Sequence, residues 1–143
     1  MIGLNAEQID SGAVVAATRT DGFGAVVLFE GIVRKDGERG KAVRELHYEA
    51  CSELAIPEME RIAEEVKARW GPCAISIQHR VGIVAVGEVS VAVAVGSKHR
   101  GDAFEACAYA IEQIKRRAAI WKQERYADGT ASWLDGVVSG ASS

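Results

Sequence analysis

The sequence has 143 residues, 48% of them hydrophobic and 26% charged, a length and composition typical of one globular domain. Its formal net charge of −3 gives no overall attraction for a polyanion such as duplex nucleic acid, so any anion site must be local. No segment approaches the run of about 18 apolar residues that a membrane-spanning helix needs. We therefore expect neither nucleic-acid nor membrane partners.

The cysteines and histidines give no sign of a disulfide framework or a metal site. Cys51, Cys73 and Cys107 are an odd number with wide spacing and no C-x-x-C pair, which favours a reduced, cytoplasmic protein. Cys107 falls on the apolar side of a predicted helix, where a small core thiol is more typical than a nucleophile. His47 and His79 lack metal-ligand spacing and are interpreted as structural.

The first third of the chain predicts one short helix and two strands. Residues 5–18 place Asn and Asp near a short apolar run, which indicates a helix. The stretch "GAVVLFEGIVR" at 24–34 is rich in β-branched and aromatic residues and predicts a strand, with Gly31 marking a bulge or a close backbone approach. After a charged loop at 35–41, residues 42–50 alternate as a second strand, which we expect to pair with the first as a hairpin.

The middle of the chain predicts a long helix followed by strands. Apolar residues recur at helical spacing over 52–70. Ser52 could cap this helix, but Pro57 would then be unfavourable inside it, so the regular helix is expected to begin near Pro57. Glycine turns separate three further predicted strands, at 73–80, 82–86 and 88–96. This order of elements predicts an α+β domain with mainly antiparallel pairing.

A second long helix is predicted from about Asp102 to Arg117, because Asp102 followed by Glu105 resembles a capping box. At 3.6 residues per turn, an apolar stripe passes through Phe104, Ala108 and Ile111. Lys115 falls inside the same stripe. The tail after Trp133 is small and polar, so residues 135–143 are predicted to be a flexible C-terminal tail and residues 1–134 a single domain.

Two lysines stand out against this apolar pattern. Lys122 follows Lys115 by seven residues and would lie nearly in line with it if the helix continued. Ammonium groups along an apolar seam are a local inconsistency of the kind that marks functional sites. Two interpretations remain open: Lys115 extends from the edge of the stripe to water, or it points into a partly dry pocket as a base, a nucleophile or an oxyanion partner.

A second basic group lies at a predicted strand-to-helix turn. Lys98, His99 and Arg100 precede the second long helix, whose N-terminus offers unpaired N–H groups for a phosphate or a carboxylate. Arg34 ends an earlier strand. By itself, a charged trio at a turn is also compatible with solvated surface. The sequence contains no P-loop, no G-x-G-x-x-G after a strand, no G-x-S-x-G and no H-E-x-x-H.

Several segments, in order, resemble the large, catalytic subunit of molybdopterin synthase. The matching pieces are "FEGIVR" at 29–34, Gly40 and Val43 leading to "LHYE" at 46–49, "HRVGIVAVGEVSVAVAV" at 79–95, "KHRGDAFEA" at 98–106, "IEQIKRRAAIWKQE" at 111–124, Gly129 and Trp133. The resemblance covers nearly the whole chain from about Ile2 to Trp133. One such motif would be weak, but their order makes the resemblance specific.

The resemblance implies an α/β hammerhead fold with an additional, mainly antiparallel sheet. It implies a homodimer that carries a ubiquitin-like small subunit at each end, forming a heterotetramer. It also implies a sulfurtransferase of molybdenum cofactor biosynthesis without a cofactor of its own. The small subunit would insert a C-terminal Gly-Gly thiocarboxylate, and sulfur would pass to cyclic pyranopterin monophosphate to form the molybdopterin dithiolene.

Carried over position by position, the resemblance assigns catalytic roles to Lys115 and Lys122. It assigns binding of the substrate phosphate to Arg34, His99 and Arg100, with one of these contributions coming from the neighbouring protomer. Ala119 departs from the family, which usually has proline at this place; proline would end the helix, whereas alanine permits the helix to continue.

Two other functions remain as alternatives. One is a non-catalytic scaffold that binds the Gly-Gly tail of a ubiquitin-like protein. The other is a small phosphate-ligand-binding domain whose site is the "KHR" turn.

Overall fold

The computed structural model describes residues 1–134, and the predicted tail at 135–143 lies outside the described residues. The elements run in the order β1 (Ile2–Asn5), α1 (Ser11–Ala16), β2 (Ala25–Ile32), β3 (Val43–Ala50), α2 (Ser52–Trp70), β4 (Cys73–Arg80), β5 (Gly82–Ala85), β6 (Val89–Ser97), α3 (Arg100–Arg117), β7 (Ile120–Tyr126) and β8 (Ala131–Trp133). The expected α+β class is confirmed.

The strands form two four-stranded sheets. The first sheet has the order β1-β4-β6-β2, and the second has the order β5-β3-β7-β8. The β1–β4 pair is parallel, and every other pair within residues 1–134 is antiparallel. The register shifts between Gly31 and Ile32, which confirms the predicted bulge.

Strand β6 is the centre of the main core because both of its faces are covered. Its valines, Val91, Val93 and Val95, pack with α2 and α3, and its alanines, Ala92 and Ala94, pack with Val14 of α1. Valines and small residues alternate along β6 because its two faces are covered differently. The valines face the layer of two long helices, α2 and α3, and the small residues face the short helix α1. A separate apolar cluster, which includes Leu46, Tyr48, Val84 and Tyr126, underlies the second sheet.

The predicted hairpin between β2 and β3 is wrong. Strand β2 pairs with β6 in the first sheet, whereas β3 pairs with β5 and β7 in the second. The connection at 33–42 is too long for a tight hairpin turn. This connection carries the chain from the first sheet to the second. At its start the amide of Val33 donates to the carbonyl of Glu88, and at its end the amide of Val43 donates to the carbonyl of Lys35.

Helix α2 begins at Ser52 rather than near Pro57. Pro57 removes one intrahelical hydrogen bond, to the carbonyl of Glu53. Glu53 is exposed, so water can satisfy that carbonyl. The helix buries Ala55, Met59, Ile62, Ala63 and Val66, and this burial outweighs one lost bond.

Helix α3 begins two residues before the predicted start, and His99 is its N-cap. It ends at Arg117 without the help of a proline, and Ala118 and Ala119 join it to β7. The amide of Cys51 donates to the carbonyl of Ala119, and Ile120 already pairs with β3. Sheet pairing, rather than local propensity, therefore ends the helix. Among residues 1–134, no helix is long and apolar enough to cross a bilayer.

The predicted apolar stripe on α3 is displaced from the observed one. Phe104 is 62% exposed, and Ala108 is also exposed. The residues that face the core are Ala103, Ala106, Cys107, Ala110 and Ile114. Lys115 lies beside this face rather than in it. Cys107 is a buried core thiol, as expected, and burial raises the pKa of its side chain to about 11.

Candidate active site

A cleft of about 200 Å³ lies where the end of β2 meets the inner face of the second sheet. Its walls come from β2, the following loop, β3, β6, the last turn of α3 and β7. Lys115, Lys122 and Arg34 contribute its basic side chains. Three of the five predicted site residues therefore converge, although they come from three separate elements.

Lys115 projects from the last turn of α3 into a sheltered position. Burial is the main cause that lowers the pKa of this ammonium to about 8, and repulsion from Lys122 lowers it further. Glu38 partly offsets both effects. Of the two interpretations of this lysine, the structure favours the partly dry pocket over a side chain that extends to water.

Lys122 reaches the same cleft from β7, not from a continued helix. It stands directly across from Tyr48 on β3, and its side chain is 13% exposed. Burial lowers its pKa, while Glu38 and Glu124 act in the opposite direction. Alternate residues of a strand share a face, so Lys122 and Glu124 both point inward.

An aromatic and imidazole pair forms the wall behind the lysines. Tyr48 lines the cleft, and its ring meets the ring of His79 edge-on at 4.9 Å. Burial lowers the pKa of His79 to about 4, so this ring is neutral at pH 7. Its Nδ1 donates to the carbonyl of Arg80 at 2.7 Å. His79 is therefore a structural residue, as interpreted from the sequence, and it adds no positive charge near the lysines.

The loop at 35–41, between β2 and β3, brings acidic groups to the cleft. Glu38 places a carboxylate oxygen 3.8 Å from the Nζ of Lys122. The backbone N–H of Glu38 donates to Oε2 of Glu124 at 3.0 Å, and the Tyr126 hydroxyl donates to the other carboxylate oxygen at 2.9 Å. Glu124 is only 4% exposed, so it ties the loop to β7 from inside.

The charged side chains that line the cleft are of both signs. Three basic side chains line it, against four acidic ones: Glu30, Asp36, Glu38 and Glu124. A doubly charged anion such as a phosphate is therefore not balanced by the groups of one chain.

His99 and Arg100 lie elsewhere in this chain. Both are exposed at the N-terminal end of α3. Lys115 is fifteen residues further along the same helix, a separation of about 22 Å at 1.5 Å per residue. The fold of one chain therefore does not bring these two residues to the cleft, and their assignment to the substrate phosphate stays a prediction.

Sequence reasoning missed the acidic and phenolic members of the cleft. Tyr48 shares a face of β3 with Leu46, and that alternation was visible. Glu124 was not singled out because the strand that carries it was not predicted. Glu38 was treated only as part of a charged loop. Among residues 1–134, no group of three or more His, Cys, Asp or Glu side chains is placed to hold a metal ion.

Fold and cleft together define a class of α+β domain that presents two lysines of lowered pKa in one sheltered cleft. A family model described as "MoaE protein" matches residues 4–117. Curated relatives agree with this match. The chain therefore belongs to the MoaE family, whose curated members carry the name molybdopterin synthase catalytic subunit.

Two of these relatives show the extent of the similarity. The subunit from Nostoc sp. is 41% identical over 112 residues, covering 78% of this chain and 67% of the relative. The subunit from Pyrococcus abyssi is 41% identical over 122 residues, covering 85% of this chain and 81% of the relative.

Solved structures agree with the fold. Molybdopterin synthase from Staphylococcus aureus superposes with a TM-score of 0.88 at 35% identity, covering 92% of this chain and 95% of that one. A complex of subunits 1 and 2 of the molybdopterin-converting factor from Helicobacter pylori gives a TM-score of 0.75 at 22% identity, covering 94% and 90%. The latter supports the fold alone.

Proposed function

We propose that this chain is the catalytic subunit of a molybdopterin synthase, transferring sulfur from a thiocarboxylated small subunit to cyclic pyranopterin monophosphate. The observation that carries the proposal is the convergence of Lys115 from α3 and Lys122 from β7 in one sheltered cleft. Membership of the MoaE family supports the reaction class. The three free cysteines are consistent with work in a reducing compartment, the cytoplasm.

The two lysines have distinct roles in this mechanism. Attack by sulfur and loss of oxygen both develop negative charge, which a fixed cation stabilises best where water is scarce. Lys115, whose pKa is lowered to about 8 mainly by burial, takes part directly as the acid or as the cation closest to the reacting carbonyl. Lys122 adds electrostatic stabilisation and positions the incoming tail, and Arg34 at the cleft wall binds the precursor phosphate.

A second copy of the chain supplies His99 and Arg100. Strand β2 is an edge strand, and its exposed apolar residues are Leu28, Phe29 and Ile32. Antiparallel pairing of two β2 strands about a two-fold axis through their middle would set Ala25 opposite Ile32 of the second copy. Ala25 pairs with Ser97, and His99 and Arg100 lie two and three residues after Ser97. This arrangement would bring them to the other cleft, which needs further positive charge.

The test is a reconstituted reaction with thiocarboxylated small subunit and cyclic pyranopterin monophosphate, in which product and subunit assembly are measured separately. Lys115→Ala should abolish product and leave assembly intact. Lys67→Ala is the matched control, because Lys67 is half exposed on α2 and pairs with Glu64 away from the cleft. Normal turnover in Lys115→Ala would refute the assignment.

The same experiment separates the two alternatives. A scaffold would bind the small subunit without turnover in the unmodified protein. A phosphate-binding domain would bind phosphorylated ligands at the exposed turn before α3 and have no affinity for a Gly-Gly-terminated protein.

A further inference from the structure

The cleft contains a negatively charged side chain at the place where an anionic ligand is expected. The carboxylate of Glu38 lies 3.8 Å from the Nζ of Lys122, and its side chain is 31% exposed. Its charge also acts on Lys115, where it partly offsets the lowering of the pKa, and on Tyr48, where it adds to the raising of the pKa. Glu38 therefore lies close to the lysines of the cleft while part of its side chain stays exposed.

The position of Glu38 is fixed by its backbone rather than by chance contact of a surface loop. Its N–H is bonded to the buried carboxylate of Glu124. One residue earlier, the amide of Gly37 donates to the carbonyl of Lys41. A Cβ at Gly37 would come within 2.8 Å of that carbonyl oxygen and 2.9 Å of Val43, so this tight path needs glycine.

The Glu38 side chain can move while this backbone stays in place. Its side chain is already 31% exposed, and rotation about its own bonds would carry the carboxylate further towards water. Leaving Lys122 costs little, because a partly exposed ion pair contributes modestly. Burying a second anion beside an unmoved Glu38 would cost more, since like charges at close range repel strongly in a sheltered site.

We propose that Glu38 is a resident counter-ion of the cleft, which occupies the seat beside Lys122 and is displaced by the carboxyl end of the incoming partner tail. The inference rests on the proposed function, because it takes the ligand to be the carboxylate or thiocarboxylate terminus of a peptide. Because its carboxylate repels other anions, Glu38 weakens the binding of free small anions to the cleft. A tail that is also held by contacts outside the cleft can displace it.

The experiment compares two probes on two variants. The probes are the ubiquitin-like small subunit with its Gly-Gly carboxylate, which stands in for the thiocarboxylate, and the same protein ending in a carboxamide. Dissociation constants are measured by calorimetry for the unchanged chain, for Glu38→Gln and for Glu45→Gln. Glu45 is the matched control, because it is a partly buried acid paired with Arg125 and does not line the cleft.

Glu38→Gln should bind the carboxylate probe about fivefold more tightly, near the upper end of what partly exposed ion pairs contribute. Its affinity for the carboxamide probe should change less than twofold, and Glu45→Gln should change neither. Circular dichroism checks that each variant is folded.

Two other results would overturn the proposal in distinguishable ways. Unchanged or weaker carboxylate binding by Glu38→Gln would mean that Glu38 orients Lys122 instead of competing for it, and the proposed function would stand. Equal affinity of the unchanged chain for both probes would mean that the tail does not reach the lysines, and both proposals would fail.

Discussion

The two ends of α3 carry basic residues in opposite environments. At its N-terminal end, His99 and Arg100 are exposed. At its C-terminal end, Lys115 is sheltered, and Arg117 holds the helix to α2 through pairs with Glu58 and Glu65 at 2.6 and 2.7 Å. One end is therefore held to α2 and shelters the ammonium of Lys115, and the cations at the other end are open to water.

This difference separates two kinds of site residue. A cation that stabilises charge in the reaction gains from a dry, fixed setting, because its field is not screened there. A cation that binds a phosphate can lie on the surface of the single chain, where it has no desolvation penalty, and become covered when the chains assemble. We infer that α3 divides catalysis and substrate binding between two chains, and the predictions below test this division.

The largest expected effect is recovery of activity by mixing two inactive variants. Lys115→Ala and Arg100→Ala should each lose product formation. If each cleft combines Lys115 of one chain with Arg100 of the other, a mixed dimer keeps one intact cleft, and co-expression should restore about a quarter of full activity.

The control is a mixture of the two separately purified variants under conditions without subunit exchange. No mixed dimers form there, so no activity should be recovered. Absence of any recovery in verified mixed dimers would mean that each cleft takes Lys115 and Arg100 from the same chain, or that Arg100 acts outside the cleft.

The next effect concerns Lys122, the second cation of the sheltered cleft. Lys122→Ala should lower kcat by about 10²-fold, a typical loss for one preorganised charge-stabilising group. Lys122→Arg should recover part of the rate, because it keeps the charge but changes its geometry. Single-turnover rates measured over a range of precursor concentrations separate the two parameters, and a change confined to the concentration dependence would contradict the assignment.

A smaller effect is the pH dependence of kcat/KM, which reports groups of the free enzyme. The pKa of Lys115 is lowered to about 8, so this side chain is protonated below that pH and neutral above it. If the cation is the active form, kcat/KM should fall as the pH rises through about 8. A rise through the same range would instead identify the neutral amine as a base or nucleophile.

The smallest effect is on stability. Since the pKa of Lys115 falls from 10.5 to about 8 on folding, the unfolded chain binds the proton more tightly, and below pH 8 the buried charge destabilises the fold. Lys115→Met should therefore raise Tm at pH 7 by about 3 °C. The gain should shrink as the pH approaches 10.5. Lys67→Met, on the exposed face of α2, should leave Tm nearly unchanged.

Three strands of the first sheet, β2, β4 and β6, were predictable as elements because their patterns follow from burial, whereas β1 and the pairing of β2 with β6 were not predicted. The alternation of β6 and the periodicity of α2 identify their elements directly. Strand β7 was not predictable in the same way: "IWKQERY" is rich in polar and helix-forming residues, and it becomes a strand through its pairing with β3. Tertiary pairing of this kind overrides local propensity.

The site was predictable in part. Lys115 and Lys122 attracted notice because ammonium groups broke an apolar pattern, and family resemblance added a role for Arg34. Glu38 and Glu124 could not be inferred, because their importance depends on a loop crossing between two sheets. No periodicity in the sequence encodes that crossing.

The junction at Ala118 and Ala119 has a consequence for how the sequence can change. Successive side chains of β7 alternate between inside and outside, so one extra residue in this joint would turn Lys122 outward and present a neighbour instead. Two extra residues would restore the parity but move the amine by about 7 Å along the strand. Homologous chains with working clefts should therefore keep the interval between the two lysines constant, while insertions accumulate elsewhere.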